Sequence, residues 1–90
     1  MDNKFKNMLN LCEDLQELAN IREVNGSYSD LCFSCDLILR NMIMILDLKS
    51  SGKDFDEEYR YLKNNLLAAY NRMTSEEIET IAKKYNMSIY

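Results

Sequence analysis

Apolar residues recur along most of this chain at spacings of three and four, the period of a helix that turns one side towards a core. The chain has no proline, and its two glycines, Gly26 and Gly52, lie between the periodic segments. The spacing predicts helices at about residues 3–24, 28–49, 54–73 and 75–86. We therefore expect an all-α fold: a single domain over residues 1–90, built as a small compact bundle of three longer helices and a short C-terminal helix.

Three of the four predicted helices carry one apolar stripe each. In the first helix the stripe comprises Phe5, Met8, Leu9, Cys12, Leu15, Leu18 and Ala19. In the third it comprises Phe55, Tyr59, Leu62, Leu66, Ala69, Tyr70 and Met73. In the fourth it comprises Ile78, Ile81, Ala82 and Tyr85. Asp54 is the expected N-cap of the third helix, and the run Thr74–Glu77 is a capping box that predicts the start of the fourth.

The second helix is apolar on too many sides for a surface helix. One apolar face is formed by Leu31, Cys35, Ile38, Met42 and Ile45, and it is widened by Cys32, Leu39, Ile43 and Leu46. Only a narrow polar strip remains, made of Ser29, Asp36, Arg40 and Asp47. Because a helix that is apolar nearly all round must be enclosed by neighbours or by a partner, we expect helix 28–48 to be central in the bundle.

Some of these apolar residues are candidates for a partner-binding surface. Phe33, Leu37, Ile43 and Met44 flank the polar strip and cannot all face one interior, so an exposed apolar patch is expected beside Arg40. Tyr61 lies off the inner stripe of the third helix and extends this patch. Acidic residues near the helix ends would steer a basic partner towards it. They are Glu57, Glu58, Glu76 and Glu77.

The composition restricts the class of partner and the compartment. The formal net charge of the 90 residues is −4, and no basic patch is present, so a protein with a basic surface fits better than nucleic acid. The longest apolar run, Met42–Leu46, is far too short to span a bilayer, and the N-terminus lacks the pattern of a secretory signal. Three cysteines, an odd number, suit a reducing compartment. These features predict a cytoplasmic protein without a membrane segment.

The sequence contains few residues that could act as catalytic groups. The chain contains no histidine, and no serine or cysteine has a base partner at a recognisable spacing. No glycine-rich phosphate loop is present, and no cofactor is expected. Cys12, Cys32 and Cys35 all fall on apolar stripes and are expected to fill the core. A metal site built from these three is an alternative, although a single chain offers no histidine as the fourth ligand.

The sequence therefore predicts a protein that is not an enzyme. The leading hypothesis is a protein-binding module, a small acidic inhibitor or neutralising factor that binds a larger protein. In size and charge the chain is similar to phage-encoded inhibitors such as anti-CRISPR proteins, to immunity proteins and to antitoxins. One alternative is a self-associating structural or adaptor subunit, in which the second helix forms a homodimer seam. A cysteine-based metal-binding protein is the other alternative.

Overall fold

The computed structural model describes residues 4–21 and 28–88, and α-helices make up most of them. The helices are α1 (Lys4–Ile21), α2 (Tyr28–Ser51), α3 (Tyr59–Thr74) and α4 (Ile78–Lys84), with a 3₁₀ turn (Phe55–Glu58) before α3. The all-α bundle predicted from the sequence is confirmed. Asn3 and residues 22–24, which were predicted to belong to the first helix, lie outside the described residues.

The main core lies between α1, α3 and α4. Its buried side chains are Met8, Leu11 and Leu15 from α1, Leu62, Leu66, Leu67, Tyr70 and Met73 from α3, and Ile81, Ala82, Tyr85 and Met87 from α4 and the residues after it. Of the helices in the described segments, α3 is the one that contacts α1, α2 and α4. The central position predicted for helix 28–48 therefore belongs to α3, because α3 presents a different face to each neighbour.

The inner face of α1 differs from the predicted stripe at three residues. Leu11 is fully buried, whereas Leu9 and Cys12, which were predicted to face inwards, are exposed. Met8, Leu11 and Leu15 are spaced by three and four, and a step of one residue rotates a side chain by about 100° around the helix. The two competing stripes overlap in sequence, and contact with α3 selects the one that contains Leu11.

Specific backbone geometry ends α2 and α3 and begins the 3₁₀ turn between them. Gly52, at φ 70°, follows α2, and Asp54 accepts a hydrogen bond from the backbone N–H of Asp56 to cap the 3₁₀ turn. Ser75, at φ 65°, ends α3 with its N–H bonded to the carbonyl oxygen of Asn71 at 2.8 Å. These three positions allow the chain to reverse between neighbouring helices.

The predicted capping box at residues 74–77 is wrong. Thr74 is the last residue of α3, and its hydroxyl oxygen accepts from the N–H of Glu76 instead of opening α4. The N-cap of α4 is Glu77, whose side chain makes no capping hydrogen bond. The left-handed conformation of Ser75 separates the two helices, so α4 begins at Ile78 and not near residue 75.

The C-terminal end of α4 is closed by a Schellman motif. The N–H of Met87 donates to the carbonyl oxygen of Ala82 at 2.7 Å, and the N–H of Asn86 donates to that of Lys83 at 3.2 Å. Asn86 adopts φ 55°, as this motif requires. The turn directs Met87 into the core, where it is buried. It also brings the carbonyl oxygen of Ser88 within 2.6 Å of the Lys63 ammonium.

Helix α2 packs antiparallel on α3 through a seam that combines polar contacts with the buried Leu48 and the half-buried Met44. Arg72 pairs with Asp30 at 3.0 Å, the hydroxyl of Ser34 donates to the carbonyl oxygen of Ala69, and Asn41 bonds to Leu62. Ser34 and Asn41 are 2% and 5% exposed. With Leu48 they form a series spaced by seven residues, the repeat of a helix pair in coiled-coil contact.

The predicted inner face of α2 is therefore wrong. The series Leu31, Cys35, Ile38, Met42 and Ile45 is exposed, although its spacing is that of a core-facing stripe. The small polar side chains of Ser34 and Asn41 contact α3 in its place. This orientation leaves uncovered the most apolar side of the most apolar helix in the described residues.

Candidate protein interfaces on α2

The outer face of α2 is an exposed apolar surface. It comprises Leu31, Cys32, Cys35, Ile38, Leu39, Met42, Ile45 and Leu46. Met42 is 53% exposed and Leu46 is 60% exposed. None of these eight residues is charged, and Lys49 follows on the same side of α2 one turn beyond Ile45. Contiguous exposed apolar surface of this kind marks an interaction site in a folded protein.

An apolar groove joins the outer face to the rest of the bundle. It lies between α1 and α2, has α3 as its floor, and holds about 260 Å³. Cys12, Leu15 and Gln16 line it from α1, Leu31, Ser34, Cys35 and Ile38 from α2, and Leu66 and Met73 from α3. We call it the inter-helix groove. Its lining is almost wholly apolar, so it suits an aliphatic or aromatic side chain of a partner.

A second depression, the edge groove, lies on another side of α2. It holds about 490 Å³ and is lined by Asp36, Arg40, Ile43, Met44, Asp47 and Tyr61. Four residues of the predicted partner-binding set, Arg40, Ile43, Met44 and Tyr61, are thus brought together by the packing of α2 on α3. Ile43 is 67% exposed, while Met44 is half-buried and reaches the core.

The electrostatics of the edge groove centre on Arg40. Its Nε donates to the Oδ2 of Asp36 at 2.7 Å, one helical turn away. This hydrogen bond, together with the charge of Asp36 and the nearby Tyr61, raises the pKa of the Arg40 guanidinium above its ordinary value. The pair is exposed to solvent, so its effect on folding stability is small. The main effect of this hydrogen bond is to fix the position of the Arg40 guanidinium at the edge groove.

Phe33 and Leu37, two other members of the predicted site, do not line the edge groove. The guanidinium of Arg72 lies 4.1 Å from the centre of the Phe33 ring, and the same side chain bonds to Asp30. Phe33 therefore helps to fix the N-terminal half of α2 on α3. Leu37 is half-buried beside the seam.

The four predicted acidic residues do not form one patch. Glu57 and Glu58 lie in the 3₁₀ turn before α3, whereas Glu76 and Glu77 follow its other end. Because α3 has 16 residues and is about 24 Å long, the two pairs stand at opposite ends of the bundle. Only Asp36 and Asp47 place carboxylates within the edge groove.

The cysteines are placed differently from the prediction that they fill the core. Cys12, Cys32 and Cys35 are free and exposed, and Cys12 and Cys35 both line the inter-helix groove, one from α1 and one from α2. Partial burial on the groove wall, with a contribution from Glu13, raises the pKa of the Cys12 thiol. Within residues 4–21 and 28–88, no three cysteine or acidic side chains are grouped closely enough to hold a metal ion.

Lys63 and Tyr85 are titratable side chains that are buried away from these surfaces. Lys63 is buried, its ammonium donates to the carbonyl oxygen of Ser88, and desolvation followed by repulsion from Arg60 lowers its pKa. The Tyr85 hydroxyl donates to a carboxylate oxygen of Asp14, and burial is the main cause that raises the pKa of Tyr85. Both groups tie the C-terminal segment to the bundle.

Ser34 and Asn41 were not identified from the sequence as contact residues. Their signal was present as the seven-residue spacing of Ser34, Asn41 and Leu48, matched by Leu62 and Ala69 on the third helix. The seven-residue spacing was overlooked because the adjacent stripe, which contains Cys35 and Met42, is more hydrophobic and dominates the apolar periodicity of this helix.

Comparison with protein-family models, with curated proteins and with solved structures finds no match for this chain. None of the helices in the described part of the chain is long and apolar enough to cross a bilayer.

Proposed function

We propose that this chain is a non-enzymatic protein-binding module that binds a larger protein through the edge groove. The observation that carries the proposal is the meeting of Arg40, Ile43, Met44 and Tyr61 in one depression, although they come from two helices. Arginine, tyrosine and methionine are enriched in protein interfaces, and a few such side chains supply most of the binding free energy.

The chemistry of the edge groove also restricts the partner. Ile43 and Met44 offer an apolar contact, and the carboxylates of Asp36 and Asp47 stand beside it. A partner that inserts an aliphatic side chain flanked by lysine or arginine satisfies both features. The net charge of −4 adds a long-range attraction to a basic surface.

Within this class, the proposed role is that of a small inhibitor or neutralising factor, as in phage-encoded anti-CRISPR proteins, immunity proteins and antitoxins. The small size and acidity of the chain support this role, which requires occlusion of a partner's surface and no catalytic group. A cytoplasmic location belongs to the same proposal, supported by three free thiols that suit a reducing compartment.

Affinity capture with matched variants tests the edge groove. Tagged wild-type chain, Ile43→Asp and the control Ile78→Asp are each incubated with lysate of the source cell or its host. Both isoleucines are exposed on helices, but Ile78 lies on α4, away from the groove. A protein retained by the wild type and by Ile78→Asp should be lost with Ile43→Asp.

A second variant, Tyr61→Ala, tests whether a loss of binding by Ile43→Asp reflects the groove itself and not a local disturbance of α2. It removes a groove residue from α3 and should release the same protein. Equal retention by all four chains would place the binding surface elsewhere. Failure of the wild type to retain any protein in stoichiometric amount would contradict the proposed function.

A further inference from the structure

The two carboxylates that line the edge groove differ in their partners. Asp36 is already paired, because its Oδ2 accepts from the Nε of Arg40 at 2.7 Å. Asp47 is exposed, and its carboxylate makes no hydrogen bond or ion pair with any other residue that the structure describes. The charge of Asp36 is thus balanced within the chain, whereas that of Asp47 is left to solvent or to a partner.

The basic residues near Asp47 in the sequence do not neutralise it. Lys49 lies on the opposite side of α2, since two residues rotate a side chain by about 200° around a helix. Lys53 follows the end of α2 and Arg60 lies at the start of α3, and neither forms an ion pair with Asp47. The carboxylate of Asp47 is therefore a local negative charge at one end of the groove.

The α2 residues of the edge groove follow one another in a fixed order along the helix axis. They are Asp36, Arg40, Ile43, Met44 and Asp47. At 1.5 Å of rise per residue, Asp47 lies about 6 Å beyond Ile43 and about 10 Å beyond Arg40. The groove thus has a polar end at which two charges cancel, an apolar middle, and a negatively charged end.

A partner that covers the apolar middle of the groove also changes the surroundings of Asp47. An apolar side chain seated on Ile43 and Met44 removes water from one side of the neighbouring carboxylate. A charge that loses water without gaining a counter-charge costs free energy. Arg40 cannot supply the counter-charge, because it lies two turns away along α2 and is bonded to Asp36. The partner must therefore bring its own cation to this position.

We infer that the edge groove binds a basic protein segment in which a lysine or arginine, about 6 Å along the groove from the aliphatic side chain on Ile43, pairs with Asp47. The inference rests on the proposed function and adds to it the residue that selects the partner. Asp36 is then a positioning residue for Arg40 and does not contact the partner's cation. Because only one end of the groove carries an unbalanced charge, Asp47 also fixes the direction in which the segment lies.

Selection of random peptides displayed on phage tests the chemistry of the partner. The full chain is immobilised, and peptides that also bind Ile43→Asp are discarded, so that the retained peptides require the groove. These peptides should carry a lysine or arginine at a constant spacing from an aliphatic residue. Groove-dependent peptides without such a basic residue would overturn the inference and leave the proposed function standing. Failure to retain any groove-dependent peptide would contradict both.

Two charge reversals then test the role of Asp47 with the most enriched peptide. Asp47→Lys should raise the Kd of this peptide roughly fivefold to tenfold, because an attraction at an exposed site is replaced by a repulsion. Glu79→Lys is the matched control: it changes the net charge equally at an exposed position of α4 and should alter the Kd less than twofold. Replacing the peptide's basic residue by glutamate should restore binding to Asp47→Lys, while circular dichroism checks the helicity of both variants. Equal effects of the two reversals, or no restoration, would overturn the inference.

Discussion

The side-chain amide of Asn41 links the two helices that form the long seam of this fold. Its Nδ2 donates to the backbone carbonyl oxygen of Leu62 at 2.8 Å, and its Oδ1 accepts from the Nδ2 of Asn65 at 2.8 Å. Both ends of a buried amide are thus satisfied by one neighbouring helix. Because no rotation of α2 that turns its apolar stripe towards α3 keeps these bonds, Asn41 helps to determine which side of α2 faces solvent.

Replacing Asn41 by alanine should lower the free energy of unfolding by about 1–3 kcal/mol, since Asn65 loses its acceptor within a partly buried seam. Chemical denaturation of the two chains measures the difference. Ser50→Ala is the matched control, because the Ser50 hydroxyl bonds only to Leu46 of its own helix at an exposed position. An Asn41→Ala chain as stable as the control would show that the seam does not depend on this amide.

Replacing Ser75 by glycine should raise the free energy of unfolding by about 0.5–1 kcal/mol. Ser75 holds φ 65° at the end of α3, a conformation that is strained for a residue with a Cβ atom and free of strain for glycine. Thermal unfolding followed by circular dichroism gives the change. Ser75→Ala retains the Cβ atom and should bring no gain. Equal Tm values for the glycine and alanine variants would rule out the strain.

Tyr85 should make the stability of the fold dependent on pH above about 10, the usual pKa of a phenol. Burial and the hydrogen bond to Asp14 raise the pKa of Tyr85 in the folded chain, so the unfolded chain loses this proton first. The contribution of Tyr85 is therefore complete below pH 10 and is lost as pH rises towards the folded pKa.

Denaturant unfolding at pH 8 and pH 11 checks this effect, with Tyr85→Phe as the reference. The wild type should be the more stable chain at pH 8, and its advantage should shrink at pH 11. A constant difference between the two chains would mean that Tyr85 ionises alike in the folded and unfolded states.

The sequence was informative about the edge groove and misleading about the core side of α2. Arg40, Ile43, Met44 and Tyr61 were selected because they flank a polar strip, and the structure brings these four together. Phe33 was selected for the same reason, but the guanidinium of Arg72 lies over its ring. Arg72 also pairs with Asp30, which is 42 residues away in the chain. Contacts between residues so far apart leave no trace in local periodicity.

The sequence by itself determined that this chain forms helices and in which order, because spacing and the lack of proline act locally along the backbone. It did not determine their exact starts, since α3 begins at Tyr59 and α4 at Ile78, after the predicted residues 54 and 75. Only the tertiary structure decided which side of each helix is buried. For α1 the choice lay between overlapping stripes, and contact with α3 selected Leu11. For α2, the hydrogen bonds of Ser34 and Asn41 to α3 prevailed over a more hydrophobic face. Hydrophobic periodicity orders the faces of a helix relative to one another, but specific contacts with a neighbour fix the rotation.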